Sequence, residues 1–307
     1  MRPERVLVVN AGSTSLKLHL VDGDGSSPVE TFVSSDAVGH RVVHGGSRFV
    51  EPVVIDDDVK AAIRELTPLA PLHNAPALRA IEDAQQALPD VPHVAVFDTA
   101  FHRTMPEEAT RYAVPEQWFD WGVMRYGFHG VSVEWSASQV QVPRLVVCHL
   151  GGGSSVTAVL DGRSVETTMG FSPLEGVPMT TRSGSIDPGA LLYLMRERGL
   201  SADQLDHALE HESGLAALSG TSGDVRELPE DSLALAVYVH RVAAAVAASA
   251  VALGGLDAVV FTGGIGEHST IVRERVCERL RFLGSFAVHV IESREELVIA
   301  RAVRAAL

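Results

Sequence analysis

VLVVNAGSTSLKLHL, residues 6–20, is an apolar run, a turn of small and hydroxylic residues, and a second apolar run. Val6 to Val9 reads as a buried strand, and Leu18 to Val21 as its return. The turn between them holds Asn10, Gly12, Ser13, Thr14, Ser15 and Lys17. Small residues let backbone N–H groups approach a polyphosphate, hydroxyls donate to it, and a lysine adds a point charge. The amide oxygen of Asn10 could face a metal. Taken alone, the stretch reads equally as a phosphate-binding turn or as an ordinary hairpin with a polar tip. The pattern GxxxxGK[ST] is absent, so a Walker-type fold is not implied.

Outward from this stretch, strands and helices alternate in an α/β manner. Apolar strand candidates are 6–9, 16–21, 94–97, 145–149, 156–160 and 258–262, and helix candidates are 58–66, 76–87, 189–198, 202–210, 232–253, 270–282 and 294–305. LVVCHLGGGSSVTAVLDG, residues 145–162, repeats the opening plan of strand, small polar turn and strand, and VVFTGGIGEHS, residues 259–269, is a second glycine-rich turn after a strand. A duplicated fold is the expectation: two related domains facing each other across a nucleotide cleft. The expected linker lies near 98–125, and 223–231 reads as a surface loop.

A chain of 307 residues can bury a large core, and one or two domains are expected. Its net charge of −14 argues against nucleic acid or an anionic membrane as main partner. Cys148 and Cys277 sit in apolar contexts and read as buried free thiols of a reducing cytoplasm. The N-terminus carries no signal-peptide pattern. Residues 232–253 are Ala- and Val-rich, but His240 and Arg241 at their centre favour a core helix over a membrane span.

Four loop motifs carry chemistry-bearing side chains: HRVVHGG (40–46) with Arg41 and His44, VFDTAFHRTMP (96–106) with Asp98, Thr99 and His102, RYGFHG (125–130) with His129, and TTRSGSIDPG (180–189) with Arg182. Each alone is more simply an ordinary loop. Together they place polar groups just beyond apolar strands, where α/β folds build ligand clefts.

With these motifs the chain resembles the acetate kinase family, of the superfamily that also holds sugar kinases, heat-shock ATPases and actin. The match runs through VLVVNAGSTSLK (6–17), HRVVHGG (40–46), APLHNAP (70–76), VFDTAFHRTMP (96–106), YGFHG (126–130), CHLGGGSS (148–155), TTMGFSPLEG (167–176), TRSG (181–184), SGTSGDVRE (219–227), FTGGIGEHS (261–269) and EELVIAR (295–301). The resemblance implies two domains of the ribonuclease H-like type. The N-terminal one covers 1–100, with a C-terminal helix 296–307 packed back on it, and the C-terminal nucleotide-binding one covers 101–295. It implies Mg²⁺-dependent transfer between ATP and acetate, with Mn²⁺ as an alternative ion, and a cytoplasmic homodimer with neither nucleic acid nor membrane as partner. The implied catalytic residues are Arg41, Asp98, His129 and Arg182, and the implied metal ligands Asn10 and Glu295. Arg41, Val43, Leu72, His73, Phe128 and Pro173 would bind acetate. Ser13, Ser15, Lys17, His149, Leu150, Gly151, Gly152, Gly153, Asp224, Val225, Arg226, Gly264, Ile265, Gly266, Glu267 and His268 would bind nucleotide.

The chain also departs from the family. Gly152, Ser185, Thr180, Val133 and His268 replace the residues usual at those places, and material is missing between 22 and 38, around 136–143 and between 284 and 290. Two alternatives stand beside acetate kinase: a kinase for propionate or butyrate, and a nucleotide-binding protein with weak kinase activity.

Overall fold

The computed structural model describes residues 3–12 and 16–307, apart from the side chains of Pro71 and Leu72. Ser13, Ser15 and the Leu72 side chain therefore lie outside the described residues. In chain order the strands are β1 (Arg5–Ala11), β2 (Leu16–Asp22), β3 (Gly25–Val29), β4 (Ala37–Val42), β5 (Val53–Val54), β6 (His93–Phe97), β7 (Arg144–Leu150), β8 (Ser154–Leu160), β9 (Arg163–Thr167), β10 (Ala258–Thr262) and β11 (Ala287–Val290). The helices are α1 (Asp57–Glu65), α2 (Pro71–Ala87), α3 (Glu107–Thr110), α4 (Glu116–Asp120), α5 (Gly130–Gln139), α6 (Pro188–Arg198), α7 (Ala202–His211), α8 (Gly214–Ser219), α9 (Leu233–Leu253), α10 (Gly263–His268), α11 (Thr270–Arg279) and α12 (Glu295–Ala306).

The chain divides into two compact units. The first comprises Met1–Arg103, Tyr112–Trp135 and Arg294–Leu307, and the second Thr104–Arg111 and Ser136–Ser293. Within the segment 98–125 the chain passes from the first unit to the second after Arg103 and back after Arg111. Among the described residues the first unit holds a sheet ordered β3-β2-β1-β4-β6-β5 and the second a sheet ordered β11-β10-β7-β8-β9. In each, an antiparallel meander of three strands (β1–β2–β3, β7–β8–β9) continues from its first strand into two parallel strands (β4 and β6, β10 and β11). The two sheets share one strand plan, and β5 is the first unit's addition.

β4 departs from the sequence expectation most. The loop motif HRVVHGG, 40–46, begins inside a strand: Ala37–Val42 lies centrally between β1 and β6, its apolar pattern interrupted by Gly39, His40 and Arg41. Side chains alternate across a strand, so Gly39 and Arg41 share one face and Val38, His40 and Val42 the other. A Cβ on Gly39 would lie 2.7 Å from Ile299 and 2.8 Å from Val303, so glycine lets α12 rest directly on the strand. The polar residues have similarly local reasons. His93 Nε2 donates to the Leu88 carbonyl at 3.0 Å, which leaves its Nδ1 to accept from His40 Nε2 at 2.9 Å. β3, β5, β9 and β11 were not anticipated either. They are short, and β3 and β11 are polar or exposed at sheet edges, so they carry no apolar run.

The unit cores follow the expected helices. In the first unit, α1 and α2 cover one sheet face and α12 the other, with Phe49 and Phe97 stacked 4.8 Å apart. In the second, α9 lies on β8 and β7 and buries Leu235, Tyr238, Val239, Val242 and Val246. It is long and apolar enough to cross a membrane by composition, but half of its most apolar window is buried and His240 and Arg241 face outward. Its burial is that of a core helix.

Burial lowers His40 to about 3 and His102 to about 4, so both are neutral in the folded protein and take up a proton on unfolding below about pH 6.5. Stability from these groups is fully present above pH 6.5 and falls as the pH drops, by about 1.4 kcal/mol per pH unit for each. Denaturant midpoints should therefore decrease steadily from pH 6.5 to 4.5, and His102→Gln should flatten the decrease. Equal midpoints at pH 7 and pH 5 would contradict it.

Candidate active site

In the first unit the polar residues gather at the C-terminal ends of β1, β4 and β6. Asn10 and Arg41 are register partners on β1 and β4, and Asp98 follows β6 directly. Arg41 Nε donates to Asp98 Oδ1 at 2.9 Å, Nη2 donates to Oδ2, and Nη1 donates to Asn10 Oδ1 at 3.1 Å. Asn10 Nδ2 donates to Glu295 Oε2 at 2.8 Å, across 285 residues of chain. Glu295 is the first residue of α12, one helical turn before Ile299, and Arg41 lies two residues beyond Gly39 on the same strand face. The seating of α12 on Gly39 therefore also brings Glu295 to Arg41, 3.8 Å from Nε.

Asp98 is 1% exposed and the Arg41 side chain 14%. Burial opposes charge on Arg41, but Asp98 and Glu295 outweigh it and hold the guanidinium protonated well above its usual range. A planar guanidinium gripped on two edges has a single orientation.

Backbone contacts carry His129 to the same place. The N–H of Gly130 donates to the Asp98 carbonyl at 3.0 Å, and a Cβ on Gly130 would lie 2.1 Å from that oxygen. His129 itself has φ +59°, an uncommon conformation for a residue with a side chain, and its carbonyl accepts the N–H of Val133 in the first turn of α5. His102 Nε2 donates to the Phe128 carbonyl at 2.9 Å, fixing the residue before.

The first unit's share of the residues proposed around the methyl group gathers beside His44. Phe128 and Val43 are buried, and the His44 ring meets Tyr126 and Phe128 edge-on at 4.5 and 5.4 Å. Asn74, inside APLHNAP, completes this group. It is fully buried, accepts the His44 N–H at 3.1 Å and donates to the His44 carbonyl at 3.1 Å, so it clamps α2, with His73, onto the chain after β4. Only its place in a quoted motif could have pointed to it. Lys17 stands opposite Asn10 in the β1–β2 ladder and is exposed.

In the second unit, both glycine-rich turns leave adjacent parallel strands, β7 and β10, at their C-terminal ends. Gly263 has φ +76° and a Cβ there would lie 2.7 Å from the Leu150 carbonyl, so the two turns touch. VVFTGGIGEHS is therefore a strand followed by a short helix, with Glu267 Oε1 accepting the Gly263 N–H at 2.9 Å. Ser154 Oγ donates to the Gly151 carbonyl at 3.3 Å and lies 3.1 Å from the Tyr238 hydroxyl. Gly152 is exposed, and its position has nothing within 4 Å of a Cβ. The Thr180 N–H donates to the Gly152 carbonyl at 3.4 Å, and Gly223 packs on the Thr180 carbonyl. Thr180 thus links the turn at 151–153 to that at 224–226. Asp224 accepts both the N–H and the guanidinium of Arg226, which hold its carboxyl at about 2. Pro173 is buried in the loop between β9 and α6, the loop that carries Arg182.

The model of the acetokinase family matches residues 29–298. The chain belongs to the acetokinase family. An acetate kinase of Deinococcus radiodurans is 52% identical over 273 residues, covering 83% of this chain and 68% of the relative. The chain spans about two thirds of the length of the curated relatives it matches, 66% and 68% of the first two. The acetokinase architecture is that of solved members. A propionate kinase of Francisella tularensis superposes with a TM-score of 0.90 at 32% identity, covering 99% of this chain and all of the other. An acetate kinase of Porphyromonas gingivalis superposes at 0.86 and 33% identity, covering 99% of each. The α/β fold with two mixed sheets is therefore the acetokinase fold.

Proposed function

We propose that this chain transfers a phosphoryl group reversibly between ATP and acetate, giving ADP and acetyl phosphate, with Mg²⁺ bound. The observation that carries the reading is the Arg41 clamp: one oriented, half-buried guanidinium held by Asp98 and Asn10 next to Glu295. Family membership supplies the substrate class.

A carboxylate is ionised at neutral pH, so its oxygen attacks the γ-phosphorus without a general base. Both oxygens of Asp98 are engaged by Arg41, which suits orientation and not proton abstraction. Three of the five Arg41 N–H donors are used, and one N–H on each Nη is left for the equatorial phosphoryl oxygens. His129 adds a donor and Arg182 a second cation. Val43, the Leu72 and His73 segment, Phe128 and Pro173 serve the methyl group. His149 to Gly153, Asp224 to Arg226, Gly264 to His268 and Lys17 serve the nucleotide.

Asn10 and Glu295 are hard oxygen donors and fit Mg²⁺, or Mn²⁺ in its place. The Asn10 carbonyl accepts from Arg41 and keeps a second lone pair. No cluster of three or more His, Cys, Asp or Glu suited to a metal occurs among the described residues, which accords with an ion that takes one or two protein ligands and completes its shell with water and phosphate. When bound, the ion neutralises charge on the β- and γ-phosphates.

Acyl phosphate trapped as hydroxamate, measured with acetate, propionate and butyrate and with ATP, GTP and pyrophosphate as donors, tests the reading. One added methylene is worth about 1–3 kcal/mol in an apolar pocket, so kcat/KM should fall about tenfold or more from acetate to propionate. The propionate kinase among the solved neighbours favours a second reading, and a maximum at propionate would establish it in place of the first. Absence of any acyl phosphate would overturn both.

A cytoplasmic homodimer belongs to the same proposal. Cys148 and Cys277 are both free thiols, the first buried as expected and the second only half-buried. α6 has no buried residue, and Leu192, Tyr193 and Met195 on it, with Ile186 before it, are exposed apolar side chains that a second copy would cover. Sedimentation at the monomer mass would refute the dimer.

A further inference from the structure

Arg182 is held more tightly than a loop residue needs to be. Its guanidinium is 13% exposed, and Nε lies 2.7 Å from Oε2 of Glu210, itself 11% exposed, near the C-terminal end of α7. The chain on both sides of Arg182 is tied to that same helix end. Thr181 Oγ1 donates to the Glu210 carbonyl at 2.8 Å, and the Ser183 N–H donates to the Leu209 carbonyl at 3.1 Å. The Arg182 carbonyl accepts the Met179 N–H at 3.0 Å, and Gly214, at φ +65°, packs where a Cβ would lie 2.7 Å from that carbonyl. Backbone and side chain are thus both referenced to the end of α7.

We infer that Glu210 is a positioning residue for Arg182 in the reaction. An arginine fork on a flexible stem is held in place by an ion pair at its Nε edge, and here the contact is one of charge, without a hydrogen bond to Oε2. A nearly buried cation also needs a counter-charge to remain in place without a phosphoryl group bound. Glu210 supplies both. Had the loop needed only a tether to α7, the Thr181 hydroxyl and the Ser183 N–H would have sufficed. The inference rests on Arg182 acting on the phosphoryl group.

The test is steady-state kinetics of Glu210→Ala, Glu210→Gln, Arg182→Ala and the double variant Arg182→Ala/Glu210→Ala, with circular dichroism at the assay temperature. Glu210→Ala should lower kcat about 10- to 100-fold, with the KM values for acetate and ATP changing less than about threefold, as for a misaimed transition-state contact. Glu210→Gln keeps the size of the side chain but removes the counter-charge, and should recover little of the loss. The double variant should match Arg182→Ala within about threefold, because Glu210 acts through Arg182. Wild-type kcat in Glu210→Ala, or a further loss of about tenfold when it is added to Arg182→Ala, overturns the inference. Wild-type kcat in Arg182→Ala overturns the reading of Arg182 instead, so the two failures are distinct. If Glu210→Ala does not fold, Glu210→Asp, which withdraws the carboxylate by one methylene, should give an intermediate kcat, and an unchanged kcat there overturns the inference.

Discussion

Arg41→Ala is expected to lower kcat by about 10³-fold or more, and separately to cost about 3–5 kcal/mol of stability. The two effects have different origins. The catalytic loss follows from removing the donors aimed at charge that grows in the transition state, so kcat should fall and not only KM rise. The stability loss follows from Asp98, which at 1% exposure would keep a carboxylate with no cation beside it. The pair can be separated. Replacing a buried ion pair by apolar side chains of similar volume is often neutral or stabilising. Arg41→Met/Asp98→Leu should therefore regain much of the lost stability while kcat stays low. A double variant that regains activity along with stability would show Arg41 to be structural. A single variant whose kcat is within about tenfold of wild type would remove it from the chemistry altogether.

Much of the first unit's logic was legible because it is local. The opening stretch gives strands where the apolar runs lie, Arg5–Ala11 and Leu16–Asp22, joined antiparallel. α9 and α12 announce themselves by length and by apolar spacing. β4 was hidden because its three irregular residues answer to distant partners: Gly39 to α12, His40 to His93 and Arg41 to Asp98. A strand whose pattern is set by other elements carries little periodicity of its own. The same holds for the site. Asn10 and Glu295 were paired only by family resemblance, and the physical reason they meet is the missing side chain at Gly39. Glu210 gave no signal at all, since one acid in the last turn of an amphipathic helix looks like any other.

Gly130→Ala should be among the most damaging single-methyl additions this fold can receive. The new Cβ would sit 2.1 Å from the Asp98 carbonyl oxygen and 2.9 Å from the Cβ of Phe101. Neither neighbour is a flexible side-chain end, so the backbone at 98 or at 129–130 must move by about 1 Å, and overpacking of this kind costs roughly 1–3 kcal/mol or more. The Gly130 N–H is also bonded to that carbonyl at 3.0 Å, so any movement that relieves the clash stretches the bond. Displacement then passes to Asp98 and through it to Arg41, and misplacement by about 1 Å can cost about 10²-fold in rate. The variant should therefore lose kcat about 100-fold even at temperatures where it remains folded. Gly152→Ala is the matched control: its Cβ would meet nothing within 4 Å, and its melting temperature should stay at the wild-type value. Similar melting temperatures for the two variants, with full activity in Gly130→Ala, would mean that the 98–130 contact does not set the geometry of the Arg41 clamp.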